Sequence, residues 1–229
     1  MKYRLKKVAV LGSGVMGSGI ACHLANVGME VLMLDIVPKD AKKNQASRNL
    51  IVNKALQNTI KSKPAPLYSK AFLNRINTGN FEDDFEKVKD ADWIIEVVIE
   101  SLDIKKQIFE KVDQFRNEKS LVSSNTSSIP INLLSQGRSD SFKYHFCGTH
   151  FFNPARYLRL LEIIPTADTH PDVTNFFMEF GKVTLGKQTV FCKDTPAFIG
   201  NRIGVMSGTE ITLLTQKYQF KIEEVDALT

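Results

Sequence analysis

Three glycines, Gly12, Gly14 and Gly17, follow the short aliphatic run Val8-Ala9-Val10-Leu11. The spacing G-x-G-x-x-G says little alone. Here it follows strand-forming residues, opens a helical pattern, and is answered by Asp35, 21 residues beyond Gly14. In that setting Gly12 permits a tight turn, Gly14 lets the backbone approach a pyrophosphate, and Gly17 lets helix and strand pack closely. The pyrophosphate would sit at the helix N-terminus, beside Met16, where free N–H groups and the helix dipole favour negative charge. Asp35, ending the next strand, suits the ribose hydroxyls of NAD. It would repel the 2′-phosphate of NADP, and no Arg follows it immediately. The competing reading is a glycine-rich turn in an α/β protein that binds no nucleotide.

A second group of reactive residues lies between Ser123 and Glu162. The run Ser123-Ser124-Asn125-Thr126-Ser127-Ser128 follows a predicted strand, where the carboxyl ends of parallel strands line a ligand crevice. His150-Phe151-Phe152-Asn153-Pro154 ends another strand. Glu162 then stands as one carboxylate in the apolar run Leu160-Leu161-Glu162-Ile163-Ile164, where burial is costly unless it is paired. His150 is the obvious partner. A carboxylate on one ring nitrogen fixes the tautomer and leaves the other free to take a substrate proton, as oxidation of a hydroxyl requires. A satisfied core histidine is the alternative.

These residues need elements to position them. Lys7–Leu11 and Glu30–Asp35 read as strands around a helix from Val15 to about Val27, one βαβ unit. A long polar helix is expected over 38–61, broken by Lys63-Pro64-Ala65-Pro66, with a short helix near Ser69–Leu73. Strands are predicted at Arg75–Thr78, Asp92–Ile99 and Ser120–Ser123, with helices at Leu102–Phe115 and Ile131–Leu134. Later strands are His145–Phe152, Leu158–Ile164 and Lys187–Cys192, with a helix over about Pro171–Gly181. From Thr195 onward the pattern is helical, with Pro196 suited to a first turn. The fold class is therefore α/β: a Rossmann-type, doubly wound, mostly parallel sheet followed by the start of an α-helical C-terminal domain. The boundary is expected at Asp194, giving a nucleotide-binding domain over 1–193 and a helical part over 194–229, too short for its own core.

Composition narrows the classes. With 43% hydrophobic and 24% charged residues the chain is globular. Its net charge of +5 is scattered in doublets such as Lys42-Lys43 and Lys105-Lys106, which suits an anionic small ligand better than a nucleic acid. Cys22, Cys147 and Cys192 show no metal or disulfide spacing, so no metal is expected and a reducing, cytoplasmic setting is. Lys54, Lys61 and Lys63 could meet phosphates, although a solvated helix face accounts for them too. No membrane span is expected.

In order, the glycine loop with Asp35, Ser124-Asn125-Thr126-Ser127-Ser128, His150-Phe151-Phe152-Asn153-Pro154 with Glu162, and Asp194-Thr195-Pro196-Ala197-Phe198-Ile199-Gly200-Asn201-Arg202 closely resemble the L-3-hydroxyacyl-CoA dehydrogenase family, over essentially the whole chain. The opening also resembles the dehydrogenase module of multifunctional β-oxidation proteins. The resemblance implies NAD-dependent oxidation of an (S)-3-hydroxyacyl-CoA to the 3-oxoacyl-CoA. It implies His150 as base, Glu162 as its orienting carboxylate, and Ser127 and Asn201 at the substrate's C3 oxygen. It also implies Asp35, Glu100, Lys105 and Asn125 as cofactor contacts; read alone, Glu100 and Lys105 are solvated helix-start charges. Family members form homo-oligomers or are fused to a hydratase, and continue through further helices, so this chain reads as a C-terminally truncated member that could bind NAD and CoA without turnover. It departs from the family in Ala155-Arg156-Tyr157-Leu158-Arg159, where Val-Pro-Val-Met-Lys is usual, and in Ala197 and Gly200, where Gly and Val are usual.

Overall fold

A computed structural model describes residues 3–228. The element order is β1 (Lys7–Leu11), α1 (Val15–Asn26), β2 (Glu30–Asp35), α2 (Gln45–Arg48), α3 (Leu50–Ile60), β3 (Ile76–Asn80), β4 (Trp93–Glu96), α4 (Leu102–Phe115), β5 (Leu121–Ser124), α5 (Ile131–Ser135), α6 (Asp140–Tyr144), β6 (Phe146–Phe151), β7 (Leu160–Pro165), α7 (Pro171–Val183), β8 (Gln188–Phe191), α8 (Gly200–Tyr218) and α9 (Ile222–Leu228). The strands form one sheet in the order β3-β2-β1-β4-β5-β6-β7-β8. Every neighbouring pair is parallel except β6 with β7. The first six strands thus have the doubly wound order of dinucleotide-binding sheets, with the switch point beside β1.

Alternation along the strands builds two cores. Val8 and Val10 of β1 point to the face covered by α1, α3 and α7, joining Ile20, Leu24, Trp93 and Phe177. Ala9 and Leu11 point the other way, joining Ile94, Phe109, Val122 and Phe146 beneath α4, α5 and α6. Both faces being buried, the central strands are continuous apolar runs.

Several expected boundaries move for local reasons. The polar helix expected over 38–61 is two helices. Asn44 caps α2 by accepting from Ser47 N (2.8 Å), and buried Asn49 ends it, its Oδ1 held by Asn80 Nδ2 (2.7 Å). β4 stops at Glu96, and Val97–Ile99 leave the sheet to line a cavity. Helix α6 was not expected, although Ser139-Asp140 is a good start signal and the Ser139 hydroxyl accepts from Phe142 N (3.1 Å). Residues 195–199 are a turn rather than the start of a helix, with Ala197 and Phe198 at φ 61° and 49°. α8 begins only at Gly200, so Pro196 is not in its first turn, and α8 contains no buried residue. Among the described residues, no helix is long and apolar enough to cross a membrane.

Candidate active site

The glycine loop lies at the carboxyl end of β1. Gly12 has φ 108°, and a Cβ there would meet the Val97 carbonyl oxygen at 2.6 Å. A Cβ on Gly17 would lie 1.9 Å from the Gly12 oxygen, so helix and loop close only on glycine. Around Gly14 a Cβ would meet nothing within 4 Å: this glycine faces open space. That space is a cavity of about 830 Å³ lined by Gly12, Gly14, Met16, Asp35 and the apolar wall of Ile36, Val98 and Ile99. The first turn of α1 carries no acidic residue and no side-chain cap, leaving its N–H groups for an anion. Asp35 closes one end. Its Oδ2 accepts from the backbone N–H (2.7 Å) and hydroxyl (2.5 Å) of Ser13, and its Oδ1 from Ile36 N (2.7 Å). A carboxylate has about four acceptor sites, so one remains for a ribose hydroxyl. The open face, apolar wall, free helix end and acidic terminus fit a dinucleotide with an unphosphorylated ribose.

Beyond β4 and β5 a network of charges shapes the 125–128 loop. Lys105 is 1% exposed and donates to Glu96 at 2.7 Å and to the Val98 carbonyl at 3.1 Å; Glu100 is 3.3 Å away. Lys105 is therefore buried, and the reading of a solvated charge at this position is corrected. Glu96, with no exposure, also accepts from Ser124 Oγ (2.5 Å) and Val98 N (2.7 Å). Burial drives its carboxyl pKa upward against the pull of Lys105. Glu100 accepts from Thr126 Oγ1 (2.5 Å), Ser127 N (3.1 Å), Ser128 N (3.1 Å) and Ser128 Oγ (2.9 Å). Burial opposes the Glu100 charge, but the Thr126 bond and the Lys105 ammonium outweigh it and bring the carboxyl to about 2. Glu100 thus sets the backbone that presents Ser127. Asn125 Oδ1 accepts from Phe151 N (2.9 Å), tying this loop to the end of β6.

His150 and Glu162 are direct partners in the antiparallel β6–β7 register. His150 Nδ1 lies 2.6 Å from Glu162 Oε2. Oε1 of the same carboxylate accepts from Ile199 N (3.0 Å) and Gly200 N (2.7 Å), the start of α8. Burial opposes this charge too, yet the bonds from His150, Gly200 and Ile199 hold the carboxyl below its ordinary value. An ionised carboxylate only accepts, so Nδ1 carries the ring proton and Nε2 is left as the basic nitrogen. The ring lies between Phe152 and Phe198, at centroid distances of 4.5 and 5.6 Å. Asn201 follows Gly200 in the first turn of α8, next to the dyad. Asp194 anchors the start of this segment, accepting from Ile131 N (2.8 Å) and Asn132 N (2.9 Å).

The structure therefore gathers Gly12, Gly14, Met16 and Asp35 around one cavity, with Gly17 behind it in the packing. It joins His150 to Glu162 and organises Ser127 through Glu100. Glu96 escaped the sequence reading, although its signal matches that of Glu162: one carboxylate in a β-forming run, Trp93-Ile94-Ile95-Glu96. The two N–H groups on Glu162 had no signal, because backbone donors carry no residue type. Cys147 and Cys192 are buried free thiols whose pKa values burial raises, Cys192 to about 12.

Sheet order, glycine loop and Asp35 together define a Rossmann-type NAD-binding protein. The family model described as "3-hydroxyacyl-CoA dehydrogenase, NAD binding domain" matches residues 7–195. The chain belongs to the 3-hydroxyacyl-CoA dehydrogenase family and carries its NAD-binding domain. It is 52% identical to a "Probable 3-hydroxyacyl-CoA dehydrogenase" of Bacillus subtilis, over all of this chain and 30% of that protein. It is 44% identical to a protein of Rickettsia felis described as the trifunctional enzyme of a fatty acid oxidation complex, over 89% of this chain and 28% of that one. The chain thus spans under a third of the length of these two relatives. The crystal structure of (S)-3-hydroxybutyryl-CoA dehydrogenase from Ralstonia eutropha superposes with a TM-score of 0.78, at 29% identity, covering 96% of this chain and 75% of that one.

Proposed function

We propose that this chain supplies the NAD site and the catalytic base for oxidation of an (S)-3-hydroxyacyl-CoA to the 3-oxoacyl-CoA, as in fatty-acid β-oxidation. The observation that carries this reading is the buried His150–Glu162 pair at the edge of a dinucleotide crevice. Gly12, Gly14 and Asp35 would hold NAD, which would supply the hydride acceptor for C3. His150 Nε2 takes the hydroxyl proton, and Glu162 holds the ring and stabilises the imidazolium that forms. Ser127 and Asn201 position the C3 oxygen. Asp35 holds the adenosine ribose, while Glu100, Lys105 and Asn125 shape the cofactor's other end, Lys105 acting through Glu100. Division of the chain at Asp194, a homo-oligomeric or hydratase-fused whole protein, and a cytoplasmic setting for its free thiols belong to the same reading.

Incubation with NAD and (S)-3-hydroxybutyryl-CoA tests it: NADH absorbance grows with the (S) isomer and not the (R). No NADH from either isomer contradicts it. A second reading, NAD and CoA binding without turnover, draws on the absence of any buried residue in α8, the helix that carries Asn201. Assaying the chain beside a version extended to the length of its family relatives separates the two, since equal activity excludes the binding-only reading.

A further inference from the structure

A second cavity, of about 240 Å³, is lined by Asn153 and Pro154 just beyond His150 in the chain and takes no part in the chemistry above. It opens between α1, the end of α3, the 62–66 segment and residues 153–157. Val15 lines both this cavity and the nucleotide cavity, so the two share a wall at the first turn of α1. Asn153 and Pro154, on its other side, continue from the strand end that carries His150. A substrate with its C3 at His150 and the cofactor on the glycine loop has this space directly beside it.

One wall is fastened by Arg156 and Tyr157. Arg156 lies between Tyr68 and Tyr157, its guanidinium carbon 4.2 and 4.9 Å from their ring centroids. The same group donates to the carbonyls of Ala65 (2.5 Å) and Leu67 (3.3 Å), and the Tyr157 hydroxyl donates to Ala65 (2.9 Å). On the far side Asn26 of α1 holds the segment, donating to Pro66 O (2.9 Å) and accepting from Tyr68 N (2.8 Å). Beneath, Lys187, 3% exposed, donates to the carbonyls of Ala155 and Leu158, the latter at 2.6 Å. Residues 64–68 and 155–158 are thereby bound into one surface.

We propose that Arg156 and Tyr157 determine substrate recognition by closing this cavity around the pantetheine arm of the CoA thioester. The inference rests on the dehydrogenase reading. The lining mixes alkyl surface from Val15, Pro64 and Pro154 with the polar groups of Asn58, Ser62 and Asn153. That mixture suits methylenes interrupted by amides better than a hydrocarbon tail, which would leave the polar groups unused. Lys61 and Lys63, exposed on either side of Ser62, match the phosphates at the far end of the arm.

Arg156→Ala and Tyr157→Phe test this beside the unaltered protein. Three quantities are measured: KM for acetoacetyl-CoA, KM for the N-acetylcysteamine thioester of acetoacetate, which lacks most of the arm, and the dissociation constant for NADH. In Arg156→Ala the KM for acetoacetyl-CoA rises about tenfold, and that for the short thioester less than about threefold, as expected for lost binding along the arm alone. Tyr157→Phe, which loses one hydrogen bond, shows the same pattern at about threefold. NADH affinity stays unchanged in both. Equal shifts for the two thioesters, or no shift in either variant, overturn the proposal. If Arg156→Ala also loses NADH, it has misfolded and Tyr157→Phe decides. If the unaltered protein turns over neither thioester, the dehydrogenase reading fails instead, and calorimetric acetoacetyl-CoA binding decides the clamp: weaker binding in Tyr157→Phe supports it, and equal or absent binding overturns it.

Discussion

The two ends of the crevice are built differently. At the glycine loop, backbone sterics decide the geometry: Gly12 and Gly17 admit no Cβ, and Gly12 N donates to Leu34 O of β2 (2.8 Å). At the dyad, three separate segments meet. His150 comes from β6, Glu162 from β7, and the N–H groups of Ile199 and Gly200 from the start of α8. The first end has no room for a side chain at Gly12 or Gly17. The second depends on one carboxylate satisfying three donors at once, so it is sensitive to charge and to the position of α8. The proposed cofactor binding and proton transfer should therefore be separable by mutation.

The sharpest way to break the dyad end is Glu162→Gln. A glutamine has one acceptor oxygen where the carboxylate has two. Keeping the Ile199 and Gly200 bonds turns its NH₂ toward Nδ1, which then accepts and moves the ring proton to Nε2. The base is lost, and kcat falls by about 10²–10⁴-fold with NADH affinity kept; unchanged kcat would mean that Glu162 does not set the tautomer.

At the loop end, Gly17→Ala places a methyl 1.9 Å from the Gly12 oxygen. Overpacking of this kind costs about 1–3 kcal/mol, and the displaced loop weakens NADH binding. A fluorescence titration and a thermal melt read both effects, and NADH affinity equal to that of the unaltered protein would dissociate the loop from the cofactor.

Much of this was legible in the residues. The parallel core followed from apolar runs bounded by glycine, and the dyad from a single carboxylate in an apolar strand facing a strand-end histidine. The 195–199 turn was not, because Ala197 and Phe198 take left-handed angles without being glycine, while Pro196 imitates a helix start. Buried Lys105 was also hidden: its partner Glu96 lies on the preceding strand, across a turn that no local pattern reports. Where backbone sterics choose the residue, the residue reports the structure. Where distant segments converge on one side chain, it does not.

Ala197→Gly sharpens this point. Glycine removes a left-handed penalty of about 1–2 kcal/mol, partly offset by its greater freedom when unfolded. The melting temperature should rise by about 2–4 °C; a fall would show that the turn is not strained at Ala197.

The smallest effect concerns Glu100. Its carboxyl lies at about 2 in the folded chain, below the ordinary value of about 4.3. Its stabilisation is fully present above the ordinary value and is lost as pH falls toward 2. The side chain is 37% exposed, so solvent screens much of it. Glu100→Gln should flatten the decline in melting temperature across that acid window, and an unchanged slope would remove Glu100 from the acid response.

The most direct test of His150 as the base is His150→Ala, with acetoacetyl-CoA-dependent NADH oxidation and NADH binding measured on the same preparation. Turnover should fall by about 10²–10⁴-fold with NADH affinity unchanged. Turnover close to that of the unaltered protein would contradict that role, whatever the state of the nucleotide site.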